Sequence, residues 1–385
     1  MSIAAPIGFR ATGVAAGIKP GGALDLALLV NDGPDQYAAG VFTQNKMKAA
    51  PVLWSRRVLG DGKLHAVVLN SGCANACTGT QGAETTAITA ERAAVALGCH
   101  PDDVAICSTG LIGSQLPREA LTGGVDAATV ALAATSEAAT AAATAVLTTD
   151  NHPKQAVRVA DSGWRAGGFA KGSGMLAPNM ATMLAMLTVD AVVRPADLDV
   201  ALRAATGRTF DRLDVDGCTS TNDTVLVLAS GASRIPAHLA ELTAVLTELC
   251  DDLVRQLQAD AEGATKHVTV EVLGAATLDD ALAVGHTVAR DSLVKTALFG
   301  SDANWGRVAM AVGNAEAAID PERVEIALNG VAMCKDGEAI AGQTVDLSGQ
   351  DITVTVNLHL GDGAVEIRTT DLSHAYVEEN SAYSS

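Results

Sequence analysis

Aromatic side chains are scarce: 5 Phe, 3 Tyr and 3 Trp stand among 385 residues. A core without large rings must be built from aliphatic and small side chains. With 48% hydrophobic residues, 37 Gly and much Ala, the sequence predicts closely packed small-residue layers and not disorder. Basic residues are also few, 26 Lys and Arg against 44 Asp and Glu, for a formal net charge of −18. That balance argues against nucleic acid or an anionic membrane as the main partner, because either demands clustered cations. No apolar run reaches membrane-spanning length, and no basic stretch followed by an apolar one opens the chain, so a cytoplasmic location is expected. The seven cysteines are scattered and odd in number, which suits buried thiols in a reducing compartment. Cys73 and Cys77 lack a second pair at ligand spacing and the 8 His are dispersed, so no metal site is expected.

Taken in order, the apolar runs Leu26–Val30 and Ala38–Thr43 read as strands, followed by Leu64–Leu69 and a helix over 83–97. Val104–Gly113 is a strand ending in the small-residue turn Ser108-Thr109-Gly110, which reads either as a plain tight turn or as backbone amides and a hydroxyl aimed at an oxyanion. One long Ala-rich helix is expected over 125–147, stopped by Pro153, then short strand-like pieces at 155–160 and 167–171. Further helices are expected at 195–206, 236–259 and 277–292, with strands at 225–229, 267–272, 324–328, 352–360 and 364–369. Gly361-Asp362-Gly363 reads as a hairpin joining the last two. Asp214, Asp216 and Asp223 share one polar loop whose spacing does not match an EF-hand. The last ten residues read as a frayed tail. Strands interleaved with helices, without a long linker, predict an α+β layered architecture.

The chain is organised around Lys171-Gly172-Ser173-Gly174-Met175-Leu176-Ala177-Pro178-Asn179-Met180-Ala181-Thr182 and the apolar run that follows, Met183–Val189. A Gly/Ser loop is drawn directly into a buried strand, with Thr182 at the junction. A threonine hydroxyl is a weak nucleophile unless a base stands beside it. An N-terminal threonine carries its own base, an amine with an ordinary pKa of about 7.7–8.0. From these residues alone two readings stay open: an ordinary loop leading into a core strand, or a threonine that cuts the bond before it and becomes an N-terminus. Lys171 and Glu262 are in the same position, since isolated charges are commonly solvated.

These segments resemble the ornithine acetyltransferases, the glutamate N-acetyltransferases of arginine biosynthesis. The likeness runs over essentially the whole chain and is carried by the 171–184 stretch, Asn70–Ala76, Ser108–Gly113, Leu147–Asp150, Asp260–Lys266 and Asp302–Arg307. It implies a sandwich fold shared with N-terminal-nucleophile aminopeptidases. It also implies self-cleavage between Ala181 and Thr182, giving an α chain of 1–181 and a β chain of 182–385 that remain one intertwined unit with a second lobe in the C-terminal part. Thr182 would then carry acetyl from N2-acetylornithine to glutamate, releasing ornithine and N-acetylglutamate. The resemblance places Thr109 and Gly110 at the oxyanion, and Thr148, Lys171, Thr182, Glu262, Asn380 and Ser385 at substrate. Relatives often end in Thr where this chain ends in Ser385, and the hydroxyl is kept. No cofactor is implied, acetyl-CoA stays open as a second acetyl donor, and a heterotetramer of two α and two β chains is expected. The rivals are an amidase or aminopeptidase of related fold passing its acyl group to water, and a non-catalytic binding protein that never cuts itself.

Overall fold

The computed structural model describes residues 2–177 and 183–382. Ala181, Thr182 and Ser385 therefore lie outside the described residues. The chain forms two compact units, one from Met1–Asp211 with Cys218–Leu257, the other from Arg212–Gly217 with Gln258–Ser384.

The first unit holds two sheets. Strands β1 (Phe9–Val14), β2 (Leu26–Asn31), β4 (Ala66–Asn70) and β5 (Val104–Ser108) form a four-stranded sheet in that order. Strands β3 (Tyr37–Phe42), β9 (Thr224–Ala229), β8 (Leu184–Val189), β7 (Arg165–Lys171) and β6 (Lys154–Val159) form a five-stranded one. Every residue of β2, β4, β5, β8 and β9 is buried. That double burial explains why these segments read as continuous apolar runs without alternation.

Ala27 and Leu29 of β2 join Phe169, Leu184, Met186, Leu226 and Leu228 in one core between the sheets. Leu26, Leu28 and Val30 turn the other way, onto α2 (Gly79–Leu97) and α3 (Arg118–Ala131). Beyond the five-stranded sheet lie α5 (Pro195–Thr206) and α6 (Leu239–Ala259), the latter tied to the edge by Arg158–Asp252 and Trp164–Glu241. The first unit is thus layered helix, sheet, sheet, helix. The Ala-rich stretch forms two helices and not the one expected. A break at Leu132–Thr135 lets Thr135 cap α4 (Ser136–Ala145), accepting from the Ala138 amide at 3.2 Å. Helix α4 lies close on β1: a Cβ on Gly13 would stand 2.0 Å from the Ala141 carbonyl oxygen. Only small residues allow that approach. Helix α1 (Ala50–Val58) has no counterpart in the sequence reading.

The second unit is built on a six-stranded sheet of β10 (His267–Ala275), β11 (Glu325–Leu328), β12 (Val331–Lys335), β13 (Glu338–Ala339), β14 (Asp351–Asn357) and β15 (Gly363–Thr370). Its order is β13-β12-β11-β14-β10-β15. The Gly361–Gly363 hairpin is therefore overturned. β10 lies between the two strands, parallel to β14 and antiparallel to β15, so a local turn signal gives way to apolar pairing from far along the chain. Val268, Val270, Val272, Val354, Val356 and Ile367 pack on α7 (Leu278–Arg290), α8 (Ser292–Phe299) and α9 (Trp305–Gly313). The expected frayed end is helix α10 (His374–Ala382). Cys77 and Cys218 are exposed, against the expectation of buried thiols. Among the described residues no helix is long and apolar enough to cross a membrane.

Candidate active site

Three strand ends of the first unit converge because of the sheet register. β7 runs antiparallel to β8 with Lys171 opposite Leu184, and β9 runs parallel to β8 with Thr224 opposite Leu184. Lys171 at the end of β7, Met183 ahead of β8 and Asp223 ahead of β9 therefore occupy one end of the five-stranded sheet. The other sheet contributes the end of β5, where Thr109 and Gly110 follow Ser108.

Lys171 is fully buried and not the solvated charge that its sequence context suggests. Its Nζ donates to Thr148 Oγ1 at 2.8 Å and to Thr109 Oγ1 at 3.4 Å, and lies 3.6 Å from Asp150 Oδ2. Asp150 also pairs with Lys154 at 2.5 Å, and neither side chain has exposed surface. Burial alone would push the Asp150 carboxyl up. The Lys171 and Lys154 charges, the Lys154 hydrogen bond and the Gly172 amide outweigh burial and hold it well below the usual carboxylate range. Two ammoniums against one carboxylate leave this cluster with net positive charge inside an acidic protein. Half-buried Lys19 adds to it, donating to the Leu147 carbonyl at 2.6 Å, with burial and the Lys171 charge among the causes that lower its pKa.

The Thr109 turn is held from below. Thr109 N–H donates to the Asn70 carbonyl at 3.0 Å, and Ser108 Oγ to Asn70 Oδ1 at 2.6 Å. Gly110 has φ +122°, and a Cβ there would lie 2.5 Å from the Gly72 carbonyl carbon. No other residue fits against that loop without moving it. Asn222 spans the two sheets, its Nδ2 donating to the Ala74 carbonyl at 2.6 Å and the Ser108 carbonyl at 2.8 Å.

The structure thus brings Thr109, Gly110, Thr148 and Lys171 together. Glu262 and Asn380 belong to the second unit, where Asn380 Nδ2 donates to Glu262 Oε2 at 2.9 Å. Gly263 makes that meeting feasible: with φ +61°, a Cβ on it would stand 2.2 Å from the Tyr376 nitrogen at the start of α10. The sequence reading gave no role to Lys19, Asp150, Lys154 or Asn222. The Asp150/Lys154 spacing in a chain poor in Lys was the one available signal. Asp223, weighed as an ion ligand, belongs to the first unit, and Asp214 to the second. The Asp214 carboxylate is taken by Arg290 at 2.6 Å and His286 at 2.9 Å in the second unit. Among the described residues no cluster of acids, His and Cys could hold a metal.

The ArgJ family model matches residues 10–385. The chain belongs to the ArgJ family. An ArgJ protein of Mycobacterium tuberculosis H37Rv, called an arginine biosynthesis bifunctional protein, is 58% identical over all of this chain and 96% of its own length. The ArgJ protein of Thermobifida fusca is 54% identical over the full length of both. A solved structure of M. tuberculosis ornithine acetyltransferase complexed with ornithine shares 51% identity over 48% of this chain and 96% of that one, with a TM-score of 0.46.

Proposed function

We propose that this ArgJ chain is a glutamate N-acetyltransferase of arginine biosynthesis, moving acetyl from N2-acetylornithine to glutamate through an ester on Thr182. The observation that supports it is the placement of Lys171, Thr109 and Gly110 at the strand end where the chain enters β8 two residues after Thr182. In this scheme the Thr182 hydroxyl attacks the Ala181 carbonyl, and its proton passes to the departing nitrogen. Water then opens the ester and leaves Thr182 with a free amine, giving chains of 1–181 and 182–385. That amine serves as the base when the hydroxyl attacks acetylornithine. Ornithine leaves, and the glutamate amine takes the acetyl group.

The residue roles follow from chemistry. The Thr109 hydroxyl and Gly110 amide are donors of the kind that stabilise a tetrahedral oxyanion. The net positive charge around Lys171, Lys154 and Asp150 suits substrates bearing an α-carboxylate, with Thr148 as a neutral partner. Glu262, steadied by Asn380, suits an ammonium, and the Ser385 hydroxyl completes the contacts. The transfer needs no resident cofactor, and acetyl-CoA is a second candidate donor. The processed enzyme is a cytoplasmic heterotetramer in this reading.

N-terminal sequencing of purified protein tests it, with a fragment beginning Thr-Met-Leu-Ala expected. Thr182→Ala should give one uncut chain with no ornithine release from acetylornithine. An uncut but active wild type, or acetate released in place of acetylglutamate, would overturn the proposal. A glutamate acetylation assay with acetyl-CoA decides the second donor.

A further inference from the structure

Asp25 stands immediately before β2 and has no exposed surface. Its carboxylate accepts four consecutive backbone amides, those of Ala16 at 2.6 Å, Gly17 at 3.1 Å, Ile18 at 2.6 Å and Lys19 at 2.8 Å. Hydrogen bonds to an ionised group are roughly twice as strong as neutral ones, so this loop is firmly held. The Asp25 carbonyl also accepts from the Ser71 amide at 2.9 Å, and Ser71 Oγ donates to the Ala145 carbonyl at 2.6 Å. The loop ending in Lys19 is thereby tied to the Gly72 turn and to the segment that leads to Thr148.

Lys19 reaches from this support into the site described above. Its stem lies on Gly72, where a Cβ would stand 3.0 Å from Lys19 Cγ, and Gly72 is the residue against which Gly110 packs. Lys19 Nζ donates to the Leu147 carbonyl at 2.6 Å and, less closely, to the Leu24 carbonyl at 3.3 Å. An ammonium has three N–H groups. The third finds no acceptor among the described residues. Lys171 Nζ donates to Thr148 Oγ1, so the two ammoniums are attached to consecutive residues. Burial lowers the Lys19 pKa and the Lys171 charge lowers it further, while the Asp25 and Asp150 charges oppose that. Two like charges gathered at one place repel, and an anion arriving beside them removes the repulsion. Nothing in the acetyl-transfer scheme above employs Lys19.

We propose that Lys19 is a second carboxylate-binding residue of the substrate site, donating its third N–H to the α-carboxylate that acetylornithine and glutamate share. This rests on the transferase reading above, in which Lys171 meets the same group. A carboxylate accepts at two oxygens and can serve both ammoniums at once. Lys154 is not equivalent, because its side chain has no exposed surface and is closed against Asp150. The α-carboxylate is common to both substrates, so Lys19 acts on the donor and on the acceptor half of the transfer alike.

The test compares acetylornithine with its α-carboxamide, which has the same shape and no carboxylate charge, as substrates of the purified, processed enzyme. Wild type should prefer the acid. Lys19→Met should raise KM for acetylornithine and for glutamate by roughly tenfold to a hundredfold, the range expected for one hydrogen bond to a charged group, with a smaller fall in kcat. It should also shrink the acid-over-amide preference in kcat/KM at least about tenfold, and Lys19→Arg should keep most of that preference. The preference is a ratio within one preparation, so the fraction of folded enzyme cancels and a poorly folding variant still decides the matter. A Lys19→Met variant that loses activity on acid and amide equally, keeping the wild-type preference, overturns the proposal, because a purely structural lysine would behave that way. A wild type that releases no ornithine from acetylornithine overturns the transferase reading itself.

Discussion

The Asn222 side-chain amide donates to the Ser108 carbonyl at 2.8 Å, so the residue two places ahead of β9 in one sheet holds the last residue of β5 in the other. The same amide takes the Ala74 carbonyl, and Thr221 donates to its oxygen at 2.6 Å. Every polar atom of Asn222 is thus engaged between the strand that leads to Thr109 and the strand beside Met183. The two halves of the proposed chemistry come from different sheets, and Asn222 sets their spacing.

Asn222→Ala would leave two buried carbonyls without donors. A loss of roughly 1–3 kcal/mol per unsatisfied group is expected on chemical denaturation. Ornithine release should fall mainly in kcat, because the displaced element is the Thr109 turn and not the Lys171 cluster. Thr109→Ala should lower the same constant by about 10²–10³ without changing stability much. A rise in KM alone for Asn222→Ala would contradict the linkage.

Asp150 holds two buried ammoniums. Asp150→Asn should cost about 3–5 kcal/mol, because it removes the buried carboxylate that both ammoniums face. Combining it with Lys154→Met should recover part of that loss, and a double-mutant cycle measures the recovery. The pH dependence has a defined sign: the folded value lies below the unfolded one, so this contribution is complete above the ordinary carboxylate range and is lost as pH falls through the folded value. Wild type should be more acid-sensitive than the double variant in denaturant titrations.

Glu262→Gln keeps the contact with Asn380 and removes the charge. A hydrogen bond to a charged group is worth about 1.5–3 kcal/mol, so KM for acetylornithine or ornithine should rise roughly tenfold to a hundredfold, more than kcat falls. Steady-state assays in both directions check it. An unchanged KM would remove Glu262 from substrate binding.

Lys295 is buried in the second unit, donating to Thr369 and to the Thr370 carbonyl. Burial pushes its pKa down to about 8, against the charges of Asp214, Asp371 and Asp216. The unfolded chain holds this proton to higher pH than the folded chain does, so between about pH 8 and pH 10 stability gains as pH rises. Lys295→Met should abolish that alkaline gain. Melting temperature measured at several pH values, wild type against variant, decides it.

Much of the first unit was legible because its strands are buried on both faces and therefore read as unbroken apolar runs: Leu26–Asn31, Ala66–Asn70, Val104–Ser108 and Leu184–Val189 are all of this kind. The alternating strand at 267 was legible for the opposite reason. What failed were local signals that distant pairing overrode. Gly361–Gly363 looks like a hairpin, yet β10 intervenes. Helix α1 buries Pro51, Val52, Ser55 and Val58, but its apolar stripe is short and broken by Ser55, whose hydroxyl is spent on the Ile106 carbonyl of β5.

The sequence by itself determined the layered α+β class, the small-residue core, and, through segments scattered over nearly the whole chain, membership in the ArgJ family. Those follow from residue type and order, which any copy of the chain displays before it folds. Only the tertiary structure decided that Lys171 is buried against Asp150, that Asn222 joins the two sheets, and that Asp223 accepts the Met183 amide. Burial and charge pairing are properties of neighbours brought from tens of residues away, and the register between β7, β8 and β9 is what makes them neighbours.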